Sequence, residues 1–203
     1  MWICACTSSV QDSDHSSLLV FIYPRDGYLK ITDFGFAKVC AYKTFTLCGT
    51  PDYIAPEVLL NKGHGKGVDW WTLGILIYEM IAGEPPFVAE DDDPIRIYQQ
   101  VLSGTVRYTR SFDKAAKQLT KKLLTADLTR RFGCLKSGSL DIRRSKFFDD
   151  IDFQSLLAKQ LPAPIIPFLK DAADTSNFDT YPPSSVDDTV PLEFDGEDPF
   201  LCF

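Results

Sequence analysis

The sequence predicts a mainly α domain that opens with a short β-hairpin and runs into an extended tail. Three features carry that reading. Residues 68–81 (VDWWTLGILIYEMI) are apolar on nearly every side between Gly67 and Gly83, as in a helix buried all round in a sizeable core. Two amphipathic stretches follow it, one opened by Asp93-Pro94 and one by Asp113. After Pro162 the chain turns to Pro-punctuated segments with isolated aromatics and acids, a composition that forms no core and wraps a surface instead.

Residues 1–17 show neither helical nor strand periodicity, are rich in Ser, Asp and Cys, and are expected to be unstructured. Residues 18–23 form an apolar run, Pro24-Arg25-Asp26-Gly27 is a turn signal, and residues 28–32 alternate in character, so the three together read as a hairpin. Residues 33–56 are punctuated by Gly, Thr and Pro, a long loop of the kind that carries function inside a compact domain. Ile95, Tyr98 and Val101 share one helical face. Ala116, Leu119 and Leu123 share another, with four lysines on the outer side. Both helices should pack around the buried one. Shorter helices are expected at residues 140–144 and 153–157.

At 203 residues and 45% apolar, the chain can build one core-bearing domain plus an appendage, or two small domains. Its net charge of −7 is uneven: residues 171–203 hold nine Asp or Glu and no Lys or Arg, leaving 21 basic against 19 acidic before Asp171. A near-neutral body with an acidic tail argues against nucleic-acid and anionic-membrane partners, which need clustered basic charge. The apolar helix is too short to span a bilayer, which takes ~20 apolar residues, and Asp69 and Glu79 interrupt it. Cysteines at 4, 6, 40, 48, 134 and 202 have neither paired metal spacing nor disulfide density, so free thiols in a reducing compartment are expected. Residues 1–10 carry no basic charge of a leader, which makes the cytoplasm the default address, with the nucleus open. His15 and His64 have no ligand spacing and read as surface residues.

The motifs are specific. Asp33-Phe34-Gly35 follows an expected strand and opens the long loop. Thr46-Leu47-Cys48-Gly49-Thr50-Pro51-Asp52-Tyr53 and Ala55-Pro56-Glu57 then complete the interval of a protein-kinase activation segment. Val68-Asp69-Trp70-Trp71, Gly83-Glu84-Pro85-Pro86-Phe87, Arg130-Arg131-Phe132-Gly133, Ser176-Asn177-Phe178-Asp179 and Phe200-x-x-Phe203 extend the match. The chain resembles AGC-group serine/threonine protein kinases of the cAMP-dependent type over residues 26–203. The resemblance implies a kinase large lobe at residues 26–160 and an AGC-type tail at 161–203. Residues 1–25 fall outside it and the small lobe is absent.

The resemblance also implies roles. ATP and Mg2+ would be the cofactors, with Asp33 as metal ligand and Phe178, beside Tyr181, covering the adenine. Thr46 matches the activation-loop phosphorylation site and Lys38 one of its cationic contacts, although an ordinary exposed hydroxyl is the competing reading. Leu47, Pro51 and Ile54 match the apolar pocket for the residue after the phosphoacceptor, a reading that coexists with packing of the loop itself. Thr50 matches the hydroxyl that bonds the catalytic Asp. Glu79, about 15 Å along the helix from Asp69 at 1.5 Å per residue, matches an acid that binds a substrate arginine. Glu57 and Arg131 match a buried ion pair, Asp69 a brace for the catalytic loop or a simple helix cap, and Phe200 and Phe203 a motif that docks on the small lobe.

Catalysis in this family also uses a Gly-rich loop, a strand lysine and H-R-D-x-x-x-x-N upstream of the Asp-Phe-Gly. The 32 residues before Asp33 contain none of these, so no catalytic residue is assigned and this chain is not expected to transfer phosphate. The implied partners are a basic peptide substrate and a cAMP-binding regulatory subunit or pseudosubstrate. A non-catalytic docking protein and a truncated fragment are the other readings.

Overall fold

A helix with apolar side chains on every face needs neighbours on every face, and the chain supplies them from both directions in sequence. In the computed structural model the elements are β1 (Ile3–Ala5), β2 (Phe21–Ile22), β3 (Lys30–Ile31), β4 (Ala37–Val39), α1 (Pro56–Leu59), α2 (Gly67–Ala82), α3 (Pro94–Ser103), α4 (Lys114–Leu123), α5 (Leu140–Arg143) and α6 (Phe153–Leu157). The structure describes residues 3–5, 21–22, 26–31, 37–40, 42–89, 93–171 and 174–177. It divides into two units, Met1–Ile166 and Pro167–Phe203.

α2 is the axis of the first unit. Toward one side Val68, Trp71 and Ile75 meet Tyr53, Ala55, Phe87, Ile97, Val101 and Leu124. Within this cluster the Trp71 and Phe87 rings stack with centroids 5.9 Å apart. Toward the other side Ile77 meets Leu119, Leu123 and Ile142, with Trp70, Leu73 and Ile81 packed alongside. Met80 is the exception on α2, standing 69% exposed. Among the described residues no helix is long and apolar enough to cross a membrane.

The caps that mark the helix starts in the sequence are present as hydrogen bonds. The Asp93 side chain accepts from the Ile95 N–H at 2.9 Å and opens α3, with Pro94 at its first turn. The Asp113 side chain accepts from the Ala116 N–H at 2.6 Å and opens α4. Each such cap is worth about 0.5–2 kcal/mol. In the connection between α3 and α4, Tyr108 and Phe112 pack against Tyr78 of α2, with ring centroids 5.8 and 4.8 Å from its ring.

The expected hairpin is present as β2 pairing antiparallel with β3, Phe21 opposite Ile31 and Ile22 opposite Lys30. Against the reading of residues 1–17 as unstructured and of 33–56 as loop throughout, the structure has strands at residues 3–5 and 37–39, while residues 1–2 and 6–17 lie outside the described residues. Ile3–Ala5 pairs antiparallel with Ala37–Val39, Ile3 opposite Val39. Three-residue strands whose partners lie more than thirty positions away leave too short a pattern for periodicity to register. Residues 18–20 and 32–36 lie outside the described residues.

In the second unit, the Lys170 and Ser176 backbone N–H groups donate to the Asp174 carboxylate at 2.8 and 2.9 Å, and the Asn177 side chain donates to the Phe168 carbonyl at 3.2 Å. These bonds, that from Lys170 first, hold the Asp174 carboxyl below its ordinary value.

α2 and α4 approach most closely at Gly74, where a Cβ would sit 2.8 Å from Leu123 Cβ and 2.9 Å from Leu124 Cδ2. Gly74→Val should therefore destabilise the chain by about 2–3 kcal/mol, overpacking outweighing the gain in helix propensity. A urea melt showing an unchanged midpoint would contradict this close approach.

Candidate functional site

The segment from Thr44 to Glu57 has little secondary structure, so its position must be set by anchors. The first is a two-way backbone bridge, in which the Thr44 N–H donates to the His64 carbonyl and the His64 N–H to the Thr44 carbonyl, both at 2.9 Å. It holds the entry of the segment against the connection between α1 and α2. His64 is 2% exposed, which corrects its reading as a surface residue. A histidine bordered by Gly63 and Gly65 looked like loop surface, and its long-range bridge left no local mark. His15 lies outside the described residues.

The second anchor is a one-turn 3-10 helix at Pro51–Tyr53, closed by the Tyr53 N–H donating to the Thr50 carbonyl at 3.1 Å. It turns the Tyr53 ring into the core, 2% exposed, where the hydroxyl donates to Glu79 of α2. An acid in an apolar helix calls for a partner, and Tyr53 is that partner, from a position to which the sequence assigned no role. Burial, and then the negative charge of Asp52, push the Glu79 carboxyl above its ordinary value of 4.5.

The third anchor is the Glu57–Arg131 pair. Arg131 is 0% and Glu57 6% exposed. The guanidinium reaches the carboxylate with two hydrogen bonds, Nη1 to Oε1 at 2.6 Å and Nη2 to Oε2 at 2.9 Å. Nη1 also donates to the Gly67 carbonyl at 3.0 Å and Nε to the Thr125 carbonyl at 2.8 Å. The cation lies 5.1 Å from the Trp71 ring centroid. This is the buried pair the sequence indicated.

The remaining site residues are distributed as follows. Thr46 is exposed, its hydroxyl 3.4 Å from that of Thr44. Leu47 is 60% exposed, Pro51 half-buried and Ile54 buried, so only part of the expected apolar pocket faces solvent. Thr50 is 5% exposed and its hydroxyl has no hydrogen-bond partner among the described residues. Asp69 is half-buried in the first turn of α2, while the N-cap position is Lys66, so Asp69 is not the cap. Its charge still complements the positive end of the helix. Lys38 sits in β4 opposite Cys4. Asp33 and Phe178 lie outside the described residues, as do Tyr181, Phe200 and Phe203. Cys40, Cys48 and Cys134 are not joined in disulfides among the described residues. Among the described residues no group of three or more His, Cys, Asp or Glu is arranged to hold a metal ion.

Comparison with known proteins decides the family, because the protein kinase domain matches residues 19–141, more than half of the chain. The chain belongs to the protein kinase family. Within this family it is similar to the cAMP-dependent, AGC-group catalytic subunits. It is 49% identical over 168 residues to the human cAMP-dependent protein kinase catalytic subunit PRKX, an alignment covering 83% of this chain and 46% of that protein. It is 52% identical over 169 residues to the Dictyostelium discoideum cAMP-dependent protein kinase catalytic subunit, covering 79% of this chain and 26% of that one. With cAMP-dependent protein kinase type 3 of Saccharomyces cerevisiae the identity is 42% over 178 residues, covering 87% and 43%. The kinase chain thus spans about half the length, or less, of these relatives.

Two outcomes follow from the anchors. Glu57→Gln leaves the fully buried Arg131 cation without its counter-charge and should cost roughly 3–5 kcal/mol in chemical denaturation. The double replacement Glu57→Leu/Arg131→Met strands no charge and should recover most of that loss. For Glu79, the folded chain holds the carboxyl proton more tightly than the unfolded chain. Its contribution to stability is therefore full below the unfolded pKa and lost as pH rises through the raised folded one. Urea midpoints measured from about pH 4 to pH 7 should show the native chain losing stability relative to Glu79→Gln as pH rises. A difference that stays flat with pH would contradict the raised value.

Proposed function

We propose that this chain supplies the substrate-placing part of an ATP- and Mg2+-dependent serine/threonine kinase of the cAMP-dependent type. As these 203 residues stand, it would not transfer phosphate itself. The observation that supports this most is the acid arrangement at the end of the activation segment. Glu79 is fixed by Tyr53 and its charge is opposed by Asp52. A pair of carboxylates that disfavour each other's ionisation gains from a cation between or beside them, and the guanidinium of a substrate arginine supplies one in a planar, multi-donor form. Leu47, exposed nearby in sequence, would meet the residue after the phosphoacceptor.

Thr50 supports the same reading. A buried hydroxyl left without a partner costs about 1–3 kcal/mol, and a carboxylate contributed by a catalytic loop would remove that cost. The residues before Asp33 contain no H-R-D-x-x-x-x-N motif, no Gly-rich loop and no lysine in the Val-Ala-Ile-Lys context of the family's phosphate-pairing strand. The nucleotide–magnesium complex supplies the phosphoryl group when bound. The residues expected to hold it, Asp33 and Phe178, lie outside the described residues, and the described ones contain no metal-ligating group. The proposal therefore concerns peptide placement alone. Because the arrangement of Glu79, Tyr53 and Asp52 uses none of the residues expected to hold nucleotide, the same surface also suits a docking role toward a regulatory subunit or pseudosubstrate carrying arginines.

The test is a fluorescence-anisotropy titration of the 203-residue chain with a serine peptide carrying two arginines, with and without ATP and magnesium. Binding independent of nucleotide, weakened about tenfold by Glu79→Gln through loss of a charge-assisted contact, is the expected result, with no phosphate incorporated into the peptide. Phosphorylation of the peptide, or binding indifferent to Glu79, would defeat the proposal.

A further inference from the structure

The near-neutral charge of the body conceals a segregation. Residues 107–146 contain twelve Lys or Arg and three Asp or Glu. Arg131 is buried in its ion pair, and the other eleven cations are exposed. None of the eleven makes a salt bridge to a carboxylate among the described residues. Two of the three acids of the stretch are engaged in hydrogen bonds and the third is withdrawn from the surface. Asp113 caps α4, Asp127 accepts from the Thr129 N–H and hydroxyl at 2.9 and 2.7 Å, and Asp141 is half-buried.

Several of the cationic heads are also held in place. Lys117 and Lys121 lie 5.1 and 5.7 Å from the centroid of the same Tyr108 ring, Lys122 5.6 Å from Phe132 and Arg143 5.3 Å from Phe153. Tyr108 is itself fixed, its hydroxyl accepting from Thr120 Oγ1 at 3.2 Å and its ring edge-on to Phe112. Side chains already ordered on aromatic rings lose less freedom when a partner binds.

We propose that the outer face of α4, with Arg107 and Arg110 beside it, docks an extended Asp- and Glu-rich segment of a partner protein. The charge is complementary, and the dimensions agree. A ten-residue helix spans about 15 Å, which about five residues of extended chain cover. An anionic bilayer fits less well, because a membrane-bound helix also inserts an apolar face and here Ala116, Leu119 and Leu123 are consumed by the core. A single-stranded nucleic acid fits less well too, because the Tyr108 and Phe132 rings on which its bases would stack are covered by lysines and half-buried. The proposal is independent of the peptide-placing one, since it uses other elements and a ligand of the opposite charge.

The experiment is fluorescence anisotropy of the full chain with a labelled octapeptide of alternating Glu and Asp. Saturable binding is expected, weakening at least about tenfold when salt is raised fourfold, since exposed charge pairs are screened. Lys117→Ala/Lys121→Ala/Lys122→Ala should weaken it by about tenfold. Arg110→Ala/Lys114→Ala, which leaves the lysines over Tyr108 and Phe132 intact, should weaken it as well and covers the case in which the triple variant fails to fold. A control of equal charge change elsewhere, Lys30→Ala/Lys43→Ala/Lys62→Ala, should leave affinity within about twofold. Equal loss in the control, absence of saturable binding, or tighter binding to duplex DNA or phosphatidylserine vesicles than to the peptide would overturn the proposal.

Discussion

A guanidinium with no exposed surface has to satisfy its donors from within the protein, and Arg131 does so by drawing together pieces of chain that are distant in sequence. Glu57 ends the activation segment, Gly67 begins α2, Thr125 follows α4, and Trp71 lies beneath the cation. Losing the Glu57 carboxylate or either carbonyl would leave a charge or a donor unmatched at a position closed to solvent, a far larger penalty than the same loss at the surface. The pair therefore fixes where the activation segment stops and where α2 starts, and through these two points the positions of Tyr53 and Glu79. Tyr53 and Glu79 have their geometry because a charge some distance away has no alternative arrangement.

Upstream of this point the activation segment is positioned more lightly. A reciprocal backbone bridge at Thr44 and His64 and a single 3-10 turn at Pro51–Tyr53 are among the features that place it. Between them Phe45, Thr46 and Leu47 are exposed. A segment pinned at its ends with exposed side chains between is suited to presenting a surface whose shape a ligand or a modification can still alter.

Much of the helical scaffold was legible in the sequence, since it is written in local terms. The uninterrupted apolar run of α2, the acid-and-proline start of α3 and the Asp113 cap of α4 each act within a few residues of themselves, and each helix begins within about a residue of its expected start. Glu57 and Arg131 were legible through the motifs around them. What the sequence concealed was long-range and backbone-mediated: the β1 pairing with β4, the burial of His64, and Tyr53 as the partner of Glu79. Backbone pairing depends on position more than on side-chain type, so residue identity carries little trace of it. The charge segregation of residues 107–146 was present in the composition but hidden by averaging over the whole body.

Gly74 gives this arrangement a mechanical character. The atoms that face it there are side-chain atoms of Leu123 and Leu124, so close that not even a Cβ fits between. The helix that carries Glu79 and the helix that carries the lysines over Tyr108 are thus fitted knob into notch at that crossing. Neither can shift there without those leucines making room, because packing at this density leaves no void to take up the change.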